Sequence, residues 1–136
     1  MTKRKMKTLM SSMATLLLTT VLLSAAPQKD QVMTKENGMY VINTTTLGKN
    51  VNGYVGATPL KVYIKKNKVV KVEALKNQET PKYMAKVKKL MLTKWDGLKV
   101  TDAKKLDVDG VTGATYTSDA VIENVQIALD YYQKHK

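Results

Sequence analysis

The chain is predicted to fold as an α+β domain, a small antiparallel sheet with a central β-hairpin packed against two main helices. Three stretches carry that prediction. Between Leu60 and Leu75 apolar and polar residues alternate with the period of a half-buried strand. In about 81–95 and about 118–135 the apolar residues recur every three to four positions, the period of an amphipathic helix.

Each element has its own warrant. Met39 to Thr46 is rich in β-branched residues and Tyr and reads as a first strand. Gly48 to Gly53 is loop-like, and Tyr54 with Val55 is read as the start of a further strand. In the hairpin, Leu60, Val62 and Ile64 face one side and Lys61, Tyr63 and Lys65 the other. Lys66-Asn67 supplies the turn, and Val70, Val72 and Ala74 continue the buried face on the returning strand. Pro81 suits the first position of a helix, with Thr80 as its cap. Met84, Val87, Met91 and Trp95 make the inward stripe, and Asp96-Gly97 ends the helix. That methionine and aromatic stripe is core packing rather than a cofactor contact. Thr101 to Lys105 is a short helical turn. In the last helix Val121, Val125, Ala128, Leu129 and Tyr132 share a face, with Asp119 and Glu123 near the start and Lys134, His135 and Lys136 at the end. Both charge placements complement the helix dipole.

Ahead of this domain lie two segments of different character. Residues 1–26 join a basic start, containing Lys3, Arg4, Lys5 and Lys7, to a short apolar run ending in Ser24-Ala25-Ala26. This is the pattern of a signal peptide or an N-terminal anchor. Cleavage and retention are both compatible with it, because Pro27 is a poor residue at the cut. Residues 27–37 are polar and turn-prone and read as a linker, leaving 38–136 as the domain. The domain is therefore expected to work outside the cytoplasmic membrane, in the periplasm or on the membrane's outer face, with membrane association through the N-terminus.

Composition removes several function classes. The 136 residues include no Cys and one His, which excludes disulfides, thiolate chemistry and cysteine nucleophiles and leaves no histidine cluster for a metal or a catalytic triad. The formal charge of +12 suggests nucleic acid, but its distribution argues otherwise. Without residues 1–26 there remain 19 basic residues against 11 acidic ones, and all the basic ones are lysines. Arg is the usual bidentate reader of bases and phosphates, so no nucleic-acid partner is expected. A lysine-covered, solvated face is the simpler account. No set of residues composes a catalytic acid, base or metal centre, and autonomous enzymatic activity is not expected.

One stretch is not explained by core building. Asp109-Gly110-Val111-Thr112-Gly113-Ala114-Thr115-Tyr116-Thr117-Ser118 has two glycines, four hydroxyl residues and a carboxylate in front of an amphipathic helix. As structure alone it is a strand-to-helix turn in which Thr117 or Ser118 caps the helix. Its glycines also leave a backbone that something bulky can approach, with hydroxyls at the mouth of a helix.

Asp109, two variable residues, Thr112 and then Gly113-Ala114-Thr115 resemble the flavinylation signature of the FMN-binding domain family. This family of flavinylated extracytoplasmic electron-transfer proteins includes the C subunit of the sodium-translocating NADH:quinone reductase and the G subunit of Rnf. Gly53-Tyr54-Val55-Gly56, the lysine-rich hairpin and Asn77-Gln78-Glu79-Thr80-Pro81 follow in the family's order. Where many members have a Gly-Leu-Gly-like loop and a His two positions before the Glu, this chain has Lys82-Tyr83-Met84 and Asn77.

The resemblance implies FMN joined by a phosphoester to the last threonine, here Thr115, installed by a flavin transferase that uses FAD and a metal ion. Thr112 occupies the earlier Ser or Thr position of the signature. The implied cofactor-binding set is Asp109, Thr112, Gly113, Ala114, Thr115, Thr117, Ser118, Glu79 and Thr80. Asp109 is expected to position the turn or meet the transferase, and Glu79 to be a solvated loop acid. The phosphodiester is expected three residues before a helix starting near Ser118, where unpaired N–H groups favour an anion. The implied function is an electron carrier, with a membrane electron donor and an exported reductase or other acceptor as partners. A non-covalent flavin-binding or interaction module of the same fold is the alternative.

Overall fold

The computed structural model describes residues 31–136. The expected signal segment and residues 27–30 of the expected linker lie outside the described residues. Four strands form one antiparallel sheet in chain order: β1 (Met33–Glu36), β2 (Met39–Asn43), β3 (Leu60–Lys65) and β4 (Lys68–Ala74). Helix α1 (Pro81–Leu90) leads into a 3-10 turn (Leu92–Trp95), then α2 (Val100–Lys105) and the long α3 (Thr115–His135). The α+β architecture expected from the periodicities is the one present.

The core forms between one face of the sheet and the helices. Ile42, Leu60, Val62, Ile64, Val69 and Val72 supply the sheet side. Met84, Val87, Met91 and Trp95 meet them from the α1 side, and Val121, Val125, Ala128, Leu129 and Tyr132 from α3. Both helical stripes read from the sequence are thus buried. Tyr132 also packs edge-to-face on Tyr40 of β2, with ring centroids 5.2 Å apart, which ties the C-terminal end of α3 to the sheet.

Several local expectations need correction. Met33–Glu36, inside the stretch read as a linker, is an edge strand paired with β2 from Met33↔Ile42 to Glu36↔Met39. The pairing uses backbone groups, so the polar side chains that made this stretch look like a tether do not oppose it. Tyr54 and Val55 do not start a strand; they sit in the loop between β2 and β3, at the tip of a turn closed by Gly53 N–H to Gly56 O (2.8 Å). The β3–β4 turn is where expected, with Lys66 and Asn67 both at positive φ, 51° and 61°. The register then slips, since Tyr63 pairs with Lys71 but Ile64 with Val69. Val70 is the extra residue of this bulge and is 44% exposed, whereas Val69, outside the expected alternation, is buried. The expected 81–95 helix changes winding at Met91 (φ −120°), after which the 3-10 turn brings both Leu92 and Trp95 into the core. The last helix starts at Thr115, three residues earlier than expected.

Candidate functional site

The site is built where α3 begins. Val111 O accepts the Ala114 N–H (2.9 Å) in a turn whose third residue, Gly113, has φ 84°, a conformation that favours glycine. Ala114 occupies the cap position and no side chain caps the helix. The expectation that Thr117 or Ser118 caps it is therefore wrong. Both lie inside the first turn, fully buried, and tertiary partners take their hydroxyls. Ser118 Oγ accepts the Val111 N–H (2.9 Å) and folds the signature loop back onto the helix. Thr117 Oγ1 donates to Glu79 Oε1 (2.7 Å). With no cap, the opening amides of α3 remain available to a ligand. Thr115, its first residue, is exposed.

Glu79 is the main departure from the sequence reading. It is 4% exposed, not solvated. Asn77 turns it inward: the Asn77 side chain donates to Leu75 O (3.0 Å) and accepts the Glu79 N–H (3.0 Å). The Glu79 carboxylate then accepts the N–H groups of Tyr54 (2.6 Å), Val55 (2.7 Å) and Gly56 (3.1 Å) as well as the Thr117 hydroxyl. Burial alone would push its pKa up, but the Thr117 hydroxyl and the amides of Val55, Tyr54 and Gly56 outweigh it and leave the pKa lowered. Gly53 is what lets the carboxylate in. A Cβ on Gly53 would stand 2.0 Å from Glu79 Oε1.

A second clamp holds the same loop to α3. Asn124, fully buried, donates to Thr58 O (3.0 Å), to Thr58 Oγ1 (3.1 Å) and to Ala120 O (3.0 Å). The loop between β2 and β3 is thus fixed against the helix at both of these points. Its tip carries Tyr54 to within ring contact of Tyr116, with centroids 6.3 Å apart and planes 28° from parallel.

A cleft of about 470 Å³ opens beside this pair. It is lined by Tyr54 of the β2–β3 loop, Thr80 and Tyr83 at the start of α1, and Gly113 to Thr117 at the start of α3. Its size lies in the range of roughly 300–1,000 Å³ common for small-molecule sites. Thr80, Gly113, Ala114, Thr115 and Thr117 of the sequence-derived set meet here. Ser118 and Glu79 lie behind it and act through hydrogen bonds. Asp109 and Thr112 do not join it; with Lys86, Lys89 and Lys94 they line a separate groove of about 630 Å³ between the signature loop and α1. Among the described residues no lysine lines the tyrosine-bearing cleft.

Sequence reasoning did not select Tyr54, Tyr83 and Tyr116 as site residues. The available signal was chemical, since a chain with no Phe places Tyr beside both the Gly-rich turn and the signature threonine. Among the described residues no group of His, Cys, Asp or Glu could hold a metal ion. What the cleft offers is flat aromatic surface, hydroxyls and uncapped helix amides. Those are the groups that a stacked ring system with a phosphate tail would use.

The sequence pattern of the FMN-binding domain matches residues 53–130, which runs from the Glu79-bound turn through most of α3. The chain belongs to the FMN-binding domain family. It has no match among curated proteins or solved structures. The protein is accordingly a flavin-binding one, and the cleft that meets the chemistry of FMN lies within the matched region.

Proposed function

We propose that the protein carries FMN covalently, through a phosphoester to Thr115, and serves as an electron carrier outside the cytoplasmic membrane. The observation that carries the reading is the placing of Thr115: an exposed hydroxyl on the first residue of an uncapped helix, at the end of a cleft with aromatic walls. A phosphodiester there would take the free amides and the positive end of the helix dipole. Because the helix begins at Thr115, a phosphodiester on that residue would lie in the first turn, where those groups are strongest, rather than three residues before the helix.

Attachment needs an outside enzyme, because a threonine hydroxyl is a weak nucleophile and no base is bonded to it. The Thr115 Oγ–P bond would form as the P–O–P bond of FAD breaks and AMP leaves. The hydroxyl proton would pass to a base of the flavin transferase, whose metal ion would polarise the phosphate. No oxidation or reduction accompanies that step. Asp109 is exposed and lines a groove separate from the tyrosine cleft, which supports a contact with the transferase rather than with the flavin. The loaded protein would accept electrons from a membrane donor and pass them to an exported reductase or other acceptor.

Co-expression of the full chain with a flavin transferase, followed by intact-mass measurement, tests the reading. An FMN-phosphate increment is expected for the native sequence and none for Thr115→Ala. An increment that survives Thr115→Ala refutes the attachment site. Its absence from the native protein in the presence of an active transferase refutes covalent attachment and favours the alternative, a non-covalent ligand- or flavin-binding or interaction module of the same fold.

A further inference from the structure

Tyr54 and Tyr116 are large aromatic side chains that the fold leaves in solvent, each 66% exposed, when most other large apolar groups are buried. They come from segments 62 positions apart, yet their rings face one another at 6.3 Å and 28°. Neither ring belongs to the core cluster. Beyond their contact with each other, these exposed rings bury little in the folded chain, and nearly parallel rings beside a cleft fit a flat aromatic ligand. At 6.3 Å the two rings already meet, so together they offer one continuous aromatic surface at the cleft rather than a gap between them.

What holds these rings is visible in the hydrogen bonds. Glu79 Oε1 accepts both the Tyr54 N–H and the hydroxyl of Thr117, the residue after Tyr116. One carboxylate oxygen therefore joins the two ring-bearing backbones directly. The other oxygen takes the Val55 and Gly56 amides, so the turn cannot pivot about a single bond. Glu79 itself lines a different depression, with Lys76, Met84 and Lys88, rather than the tyrosine cleft. It meets the tyrosine cleft through the residues that it holds.

We propose that the isoalloxazine ring of FMN stacks on the Tyr54–Tyr116 pair, and that Glu79 is the positioning residue that sets the spacing of the two rings. Flavin binding by the domain is sufficient for this; covalent attachment at Thr115 is not required. Tyr83 of α1 lines the same cleft and adds a third aromatic side chain to it.

The test uses the full chain purified without a transferase and titrated with FMN, with flavin fluorescence as the readout. Tyrosine stacking quenches that emission, so saturable quenching is expected for the native protein. Tyr54→Leu and Tyr116→Leu should each weaken binding by about 2- to 10-fold, the value of one aromatic contact, and restore part of the emission at saturation. Thr117→Val, which removes one bond from the bracket without changing side-chain volume, and Glu79→Gln should restore part of the emission with both tyrosines intact. Full quenching in the two leucine variants, or no saturable quenching in the native protein, overturns the stacking. Full quenching in both Thr117→Val and Glu79→Gln, with only the melting temperature lowered, overturns the positioning role. Because FMN is added free, these outcomes are independent of whether an adduct forms at Thr115.

Discussion

Gly53→Ala should be among the most damaging single substitutions in the loop, although Gly53 lies at the half-exposed edge of the domain. The added Cβ would stand 2.0 Å from Glu79 Oε1, 2.9 Å from its Cδ and 3.2 Å from Thr58 Cγ2. An ordinary contact needs more than 3 Å, so the carboxylate would have to move by over an ångström. It cannot do so and keep its partners, because Oε1 is bonded to the Tyr54 amide and the Thr117 hydroxyl. Hydrogen bonds to a charged group contribute about 1.5–3 kcal/mol each, so losing both costs about 3–6 kcal/mol. In a domain of this size that corresponds to a fall of at least about 12 °C in Tm. Urea unfolding at neutral pH, followed by far-UV circular dichroism, measures it. The same substitution in a Glu79→Ala background removes the obstacle and should cost under about 1 kcal/mol, so the two changes should be strongly non-additive. A loss below about 1 kcal/mol in the native background, or simple additivity, would show that the carboxylate is not held as described.

Two further outcomes follow from the same geometry. Val69→Ala removes buried methyl groups and should cost about 2 kcal/mol, while Val70→Ala, on the exposed bulge residue, should stay within about 0.5 kcal/mol; unfolding free energies in the opposite order would refute the bulge. Burial opposes ionisation of Glu79, but the Thr117 hydroxyl and the Val55, Tyr54 and Gly56 amides outweigh it and hold the carboxyl below its ordinary range in the folded state. Its contribution is thus fully present above that range and is lost as pH falls through the folded pKa. Unfolding free energy measured from neutral pH into that acid range should therefore fall less steeply for Glu79→Gln than for the native protein, and parallel curves would count against the bonded carboxylate.

The sequence by itself determined the class of fold, because burial of one face imposes a period on each element and that period is written in residue order. The stripe from Met84 to Trp95, the stripe from Val121 to Tyr132 and the alternation from Leu60 to Ile64 are all buried as their spacing requires. It also located the signature loop, since Gly113-Ala114-Thr115 is recognisable as a string. Features that depend on where a distant segment arrives were not legible. Val70 faces out because a bulge, a property of two paired strands, shifts the alternation by one. Thr117 and Ser118 do not cap α3 because Glu79 and the Val111 amide, brought in by the fold, bind their hydroxyls inside the helix. Glu79 looked solvated because a loop carboxylate usually is; its three amide partners lie more than twenty positions away. The tertiary structure alone decided that Tyr54 would face Tyr116 beside Thr115. A contact between residues 62 positions apart is enforced by the hydrogen-bond bracket that Glu79 makes, and no periodicity in the chain encodes it.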